Sequence, residues 1–303
     1  MLVLLSGRCG SRILKSAICE RIVLLDRNPP LLPVRPSGTV DLRKLDPGSK
    51  SGLADETTTR DLIEEHTQAI GRLQDLLYAD GTQALLVILQ GMDASGKDGT
   101  VRKVFDHVNP MGVHAVAFKS PSALERQHDF LWRVHKAAPP LGSIGIFNRS
   151  HYEEVLVVRV HAAKLLPPEC HGRKHIWKLR YRRINEWESL LSQTGTRILK
   201  FFLHISKDEQ KKRFQERQKD PQKHWKLAAS DFAERPFWDH YQDAYEQMLR
   251  RTSTDRAPWY VVPADHKWVR DYHVARVVHE TLLAMRLRPR GAAQRRLLHM
   301  TFK

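Results

Sequence analysis

ALLVILQGMDASGKDG, Ala84 to Gly99, decides the reading of this chain. Its first seven residues, Ala84 to Gln90, are mostly branched and apolar, which suits a strand buried on both faces of a parallel sheet. Gly91 to Lys97 then fits G-x-x-x-x-G-K, placed directly after that strand and before a helix-like stretch. Glycines there let the backbone curl so that successive N–H groups face inward and bind anionic oxygens. The helix that follows points its positive end at the same place, and Lys97 adds a full charge. An ordinary Gly-rich strand–helix turn is the alternative, and the conjunction of strand, Gly91, Gly96 and Lys97 favours the phosphate loop.

The loop departs from the usual pattern in two places. Asp98 stands where a Ser or Thr normally follows the lysine and holds a metal ion, with Gly99 and Thr100 next. Asp93 adds a carboxylate inside the loop, beside Ala94 and Ser95. Two carboxylates near phosphates make sense around a divalent cation, because hard cations prefer oxygen ligands. Asp98 reads equally well as a first-turn helix residue favoured by the helix dipole.

Outward from the loop, residues 56–79 carry Leu62, Ile63, Ile70, Leu73, Leu76 and Leu77 at helical spacing. Further strands are expected at Val113–Phe118, Ser143–Phe147, Arg197–Ile205 and Trp259–Pro263, with helical segments between them. Ser122 with Glu125 and Ser206 with Glu209 match the capping box. Alternating strands and helices indicate an α/β protein with a parallel, doubly wound sheet. The Pro-rich stretch Asn28 to Gly38 sets an N-terminal extension, 1–34, apart from a single body over 35–288, and a basic tail covers 289–303. No internal repeat is visible.

Ligands of open α/β sheets bind at the carboxyl ends of strands. Asn148 and Arg149, at the end of the strand in SIGIFNRSHYEE, are therefore expected to face the same crevice as the loop. Arg149 suits bidentate clamping of phosphate. Glu153 also completes a capping box with Ser150, a purely local role. The basic run Ser206–Lys226 holds Lys207, Lys211, Lys212, Arg213, Arg217, Lys219, Lys223 and Lys226, and Asp220-Pro221 interrupts it. It reads either as a solvated helix face or as a lid that closes over phosphates. In Leu124–Lys136, Leu124, Phe130, Leu131 and Val134 look core-like, whereas Arg126, Arg133 and Lys136 line a channel or the surface. No histidine pair shows ligand spacing.

The 303 residues are 41% hydrophobic and 28% charged, the balance of a globular protein with a sizeable core. The net charge of +16 implies polyanionic company. Residues 1–40 hold six Lys/Arg against Glu20 and Asp26, and residues 286–303 hold six and no acid, so the two ends carry +10 of the +16. The body is only modestly basic. Cys9, Cys19 and Cys170 form neither a disulfide framework nor a metal motif, which points to a reducing cytoplasm. No uncharged stretch reaches the ~18–20 residues of a spanning helix. The N-terminal segment lacks the charged start and long apolar core of a secretory signal; an Arg-containing targeting peptide and an upstream mis-assigned start are the alternatives.

GMDASGKDGTVRKV, FKSPSALERQHDFLWRVHK, GIFNRSHYEEVLVVRVH, ILKFFLHISKDEQKKRF, DPQKHWK and APWYVVPADHKW together resemble the family-2 polyphosphate kinases, in order and spacing, from about Arg35 to Arg288. The resemblance implies a P-loop kinase-like, three-layer α/β/α fold with a parallel sheet and a helical lid over about 206–232. It implies Mg²⁺-dependent transfer of the terminal phosphate of inorganic polyphosphate to nucleoside mono- and diphosphates, with Mn²⁺ as a substitute ion, adenine nucleotides as acceptors and guanine as a second base. It also implies a cytoplasmic homodimer or homotetramer, without membrane or specific nucleic-acid partners. Carried over residue by residue, Asp93, Lys97, Arg149 and Glu153 fall to catalysis, and Asp93, Asn148 and Glu153 to the metal. Substrate binding falls to Gly91, Ala94, Ser95, Gly96, Asp98, Gly99 and Thr100 in the loop, to Lys119, Arg133 and Asn148, and to Arg213, Arg217, Lys223 and Lys226 in the lid. Asn148 is Asp in part of the family. Glu153 matches the subgroup that accepts both mono- and diphosphates. A conventional ATP-dependent nucleotide kinase and a basic nucleic-acid-binding protein are the competing readings. Asp98 in place of Ser/Thr argues against the first, and the absence of an aromatic-and-basic strand-binding motif against the second.

Overall fold

The apolar run that opens at Ala84 forms β1 (Ala84–Gly91), and every residue of it is buried. The structure, a computed structural model, describes residues 28–166, 170–172 and 175–289. β3 (Ile144–Asn148) pairs with one edge of β1 and β4 (Thr196–His204) with the other, both parallel. β2 (Val113–Ala117) and β5 (Trp259–Pro263) complete the order β2-β3-β1-β4-β5. The chain winds one way from β1 to reach β2 and β3 and the other way to reach β4 and β5. The sheet therefore reverses direction at β1, and a crevice opens beyond the carboxyl end of that strand. The central strand is apolar from Ala84 to Leu89, as expected where helices cover both faces, and turns polar only at Gln90.

The strand bounds expected from pattern differ from the observed ones by one residue or none. Phe118 lies just beyond β2, although its N–H still reaches Asn148 O at 3.1 Å. α1 (Glu56–Asp80) begins where Asp55 accepts the Thr58 N–H at 2.9 Å and ends at Gly81, whose φ of 63° closes the last turn. Ile63, Ile70, Leu73 and Leu77 are buried along α1, whereas Leu76 is 38% exposed at the edge of the apolar stripe. α2 (Lys97–Val104) follows the loop, and α6 (Lys267–Ala284) packs against α1 and α2. The opposite layer holds α3 (Ile176–Gln193), α5 (Trp238–Thr252) and a short 3₁₀ turn, His151–Val155. α4 (Lys207–Lys219) and the short elements Pro221–Lys226 and Ala229–Glu234 form the lid region, and the helix stops at Asp220-Pro221.

Two capping expectations are met only in part. Ser206 accepts the Glu209 N–H at 3.1 Å, but the Glu209 carboxylate turns to Arg213 Nε at 2.9 Å, and the Ser206 N–H goes to Asp265 Oδ1 at 2.8 Å. Ser122 and Glu125 form both bonds of the box, yet the box caps only the single 3₁₀ turn Glu125–Gln127. Asp129 then takes the Leu131 N–H, and the helix restarts as Trp132–Lys136. Val134 is buried as expected, whereas Leu124 is 56% exposed, because the broken helix no longer turns it inward. No described helix is long and apolar enough to cross a membrane. The segment before Asn28, with Cys9 and Cys19, and the tail beyond Pro289 lie outside the described residues.

Candidate active site

Gly91 and Gly96 shape the loop. A Cβ on Gly91 would stand 2.7 Å from Leu203 O of β4, and Gly96 adopts φ 102°, which L side chains rarely do. Ala94 accepts a left-handed φ of 62° between them. The curled loop turns two carbonyls inward, and Lys97 Nζ folds back onto Gly91 O at 2.7 Å and Met92 O at 3.2 Å. Burial pushes the Lys97 ammonium down to about 8, and Arg149 acts in the same sense against Asp93, Glu153 and Asp98.

At the end of β3 the chain doubles back through Arg149, a non-glycine residue at φ 63° whose N–H bonds Leu89 O at 3.1 Å. This sparsely populated conformation aims the guanidinium across the loop. It hydrogen-bonds the Asp93 carboxylate and lies 3.7 Å from Glu153 Oε2. Burial alone would lower the Arg149 pKa, but Glu153 and Asp93 hold it above the usual arginine range. Burial raises the Glu153 carboxyl, and Arg149 and Lys97 pull it back. Glu153 does not cap Ser150: the Ser150 hydroxyl accepts from Tyr152 N at 3.2 Å instead. Gln90, with its amide in the orientation that satisfies both ends, donates to Glu153 Oε1 at 3.0 Å and accepts from Ser150. The fold thus brings Asp93, Lys97, Arg149 and Glu153 to one place.

The other expected residues divide. Asp98 sits in the first turn of α2 and accepts a hydrogen bond from the Asn148 amide, so Asn148 faces Asp98 rather than Asp93. Ser95 Oγ is buried in the loop with no partner. The Thr100 hydroxyl donates to Asp271 Oδ1 of α6 at 3.3 Å. Arg213 is placed differently from the other lid cations. It is buried, and its guanidinium donates to Ala94 O (2.9 Å), Ser95 O (3.2 Å), Ala264 O (2.7 Å) and Asp265 O (2.8 Å), so it pins the loop from behind. Arg133 bonds Lys119 O at 2.7 Å and covers the Phe118 ring, fastening the stretch beyond β2, while Lys119 stays exposed. Arg217 reaches Lys226 O at 3.4 Å, Lys223 pairs with Asp220 at 2.7 Å, and Lys226 lies over the Trp225 ring, so these three cations sit on the lid itself.

Several residues at the loop carry no motif signal. Gln210 of α4 donates to Asp93 O at 2.9 Å and accepts from Arg235 at 2.6 Å, joining the lid region to the loop. Arg270 lies behind Gly96, held by Asp271 at 2.9 Å. Asp231, Glu234, Tyr241 and Tyr245 wall the crevice together with Asp93 and Glu153. Lys200 is fully buried in β4. A lysine in the middle of RILKFFLHI was the visible sign of it. Among the described residues no group of three or more His, Cys, Asp or Glu gathers to cage a metal. Asp93 and Glu153 supply two carboxylates, which suits a hard ion that keeps water and phosphate oxygens as its other ligands.

The family model described as Polyphosphate kinase 2 matches residues 53–289. The AMP/ADP-polyphosphate phosphotransferase of Meiothermus ruber is 48% identical over 250 residues, 82% of this chain and 91% of that protein. The ADP-polyphosphate phosphotransferase of Rhodopseudomonas palustris is 48% identical over 231 residues, 75% of this chain and 80% of that protein. The crystal structure of polyphosphate kinase 2 from Arthrobacter aurescens superposes with a TM-score of 0.79 at 38% identity, covering 89% of this chain and 98% of that one.

Proposed function

This chain belongs to the polyphosphate kinase 2 family, and from that premise we propose how its crevice transfers phosphate between inorganic polyphosphate and nucleoside mono- and diphosphates. The observation that carries the assignment of residues is the convergence of Asp93, Lys97, Arg149 and Glu153 at the carboxyl ends of β1 and β3. A terminal phosphate oxygen of AMP or ADP attacks the terminal phosphorus of the chain. One P–O bond forms to the nucleotide, the bond to the next phosphate of the chain breaks, and polyphosphate leaves one unit shorter. The acceptor phosphate is already ionised at neutral pH, so positioning and charge stabilisation supply most of the rate.

Lys97 exchanges its two loop carbonyls for phosphate oxygens, and the first-turn N–H groups of α2, which lack intrahelical acceptors, bind alongside it. Arg149 holds the transferring phosphate from the far side of Asp93. The lid cations Arg217, Lys223 and Lys226, half-buried to exposed, follow the rest of the chain. A divalent ion, taken here as Mg²⁺, offsets repulsion between the two anionic reactants when bound, and Asp93 and Glu153 would hold it.

Lys97→Ala should lower ATP formation from ADP and polyphosphate by about 10²–10³-fold, the scale of one lost charge-stabilising donor. Thermal unfolding run in parallel should show the variant folded, and an active Lys97→Ala enzyme refutes the assignment. Glu153→Asn should depress AMP phosphorylation more than ADP phosphorylation. Equal loss on both substrates would remove its role at the acceptor. Supplying AMP, ADP, GMP and GDP in turn, with polyphosphate or with ATP as the sole donor, reports base preference and tests the ATP-dependent alternative in one assay.

A further inference from the structure

Lys200 stands at the centre of β4, opposite Ile88 of β1 and Trp259 of β5, with no exposed surface. Its Nζ donates to Glu188 Oε2 of α3 at 2.6 Å, to Tyr152 OH at 2.9 Å and to Thr252 O at the end of α5 at 2.7 Å. Tyr152 OH closes the ring by donating to Glu188 Oε1 at 2.7 Å. The Tyr152 and Trp259 rings lie 5.4 and 5.3 Å from the ammonium, and His151 Nε2 is 3.6 Å from Glu188. A buried ion pair is a poor source of stability, since apolar residues of similar volume fill such a space at least as well. What it does provide is direction: bonds from β4 and α3 converge on one phenol, and α5 holds the Lys200 ammonium beside it.

That phenol belongs to the residue before Glu153, in a five-residue 3₁₀ turn that cannot hold its own geometry. The sheet grips this turn at a second point. Gln90, two residues beyond Ile88 in β1 and so on the same sheet face as Lys200, donates to Glu153 Oε1 at 3.0 Å. We propose that Lys200 and Glu188, acting through Tyr152, are positioning residues for Glu153. The buried pair fixes the turn so that the carboxylate meets Arg149 and the acceptor phosphate. This inference rests on the role given to Glu153 above.

The test is a double-mutant cycle in the full-length enzyme with AMP as acceptor. Tyr152→Phe removes one hydroxyl and keeps the ring. Lys200→Met with Glu188→Leu replaces the pair by apolar side chains and leaves no charge stranded. Each change should lower kcat about tenfold, with the KM for polyphosphate within about twofold, a loss typical of small misplacement and of coupled neighbours. In a Glu153→Gln background neither change should cost anything further. Unchanged kcat in Tyr152→Phe, or the same fold-loss with Glu153→Gln as without it, overturns the proposal. Should the apolar pair fail to fold, Tyr152→Phe decides alone. A Glu153→Gln enzyme as active as the unmodified one would instead remove the role of Glu153, and that result is read directly from the single variant.

Discussion

Lys97 carries a pH signature that its position in the loop explains. Burial lowers its ammonium to about 8, so the positive charge is present below that pH and is lost as pH rises through it. Phosphate binding needs the charge, so kcat/KM for polyphosphate should fall on the alkaline side with an apparent pKa near 8. The limb in kcat should lie higher, because bound polyanion holds the proton on. Lys97→Arg, always charged, should lose the limb; a flat profile from pH 7 to about 9.5 in the unmodified enzyme would sink this account. Two arginines make a second contrast at this scale. Arg213→Ala leaves loop and strand-end carbonyls without donors and should destabilise by about 2–3 kcal/mol in denaturant titration. Arg217→Ala, on the lid, should leave stability alone and raise the KM for polyphosphate. Pattern did not separate the two: both sit in one basic run, and only the packing of α4 against the loop shows which of them is buried.

At the scale of elements, two hydrogen bonds tie the lid region to the loop. Ala229–Glu234 and α5 wall the crevice through Asp231, Glu234, Tyr241 and Tyr245. Gln210 bonds the Asp93 carbonyl and Arg235 bonds Gln210, so the segment after α4 is held against the loop. Arg235→Ala should therefore loosen the lid, raise the KM for AMP and let water compete, seen as phosphate released from polyphosphate without nucleotide. Unchanged KM and unchanged phosphate release would show that the bond does not restrain the lid. Ser206→Ala, which removes the cap of α4, should cost about 1 kcal/mol in thermal unfolding. The strands were legible because apolar runs bounded by turns have a length that helices rarely share. The capping box at Ser206 formed only half because the neighbouring Asp265 and Arg213 compete for its two groups, and no local pattern reports a residue 59 positions away.

Over the whole molecule, charge is distributed unevenly. The two ends hold +10 of the net +16 while the crevice relies on a few placed cations. Long-range charge acts on encounter more than on chemistry. A chain trimmed to residues 28–289, which loses +7 of that charge, should show a shallower fall of kcat/KM for polyphosphate with salt, and an unaltered kcat at saturation. Equal salt slopes would mean that the ends contribute nothing to capture. The order of strands and helices, the loop at the end of β1 and the family were all determined by the sequence alone, because hydrophobic period and the G-x-x-x-x-G-K spacing are local and survive without knowledge of neighbours. Only the tertiary structure decided that Arg213 supports the loop, that Thr100 faces α6, that Glu153 meets Arg149 instead of capping its own turn, and that Lys200 lies under that turn. Each of those outcomes depends on which distant group reaches a buried polar atom first, and burial leaves no water to take its place.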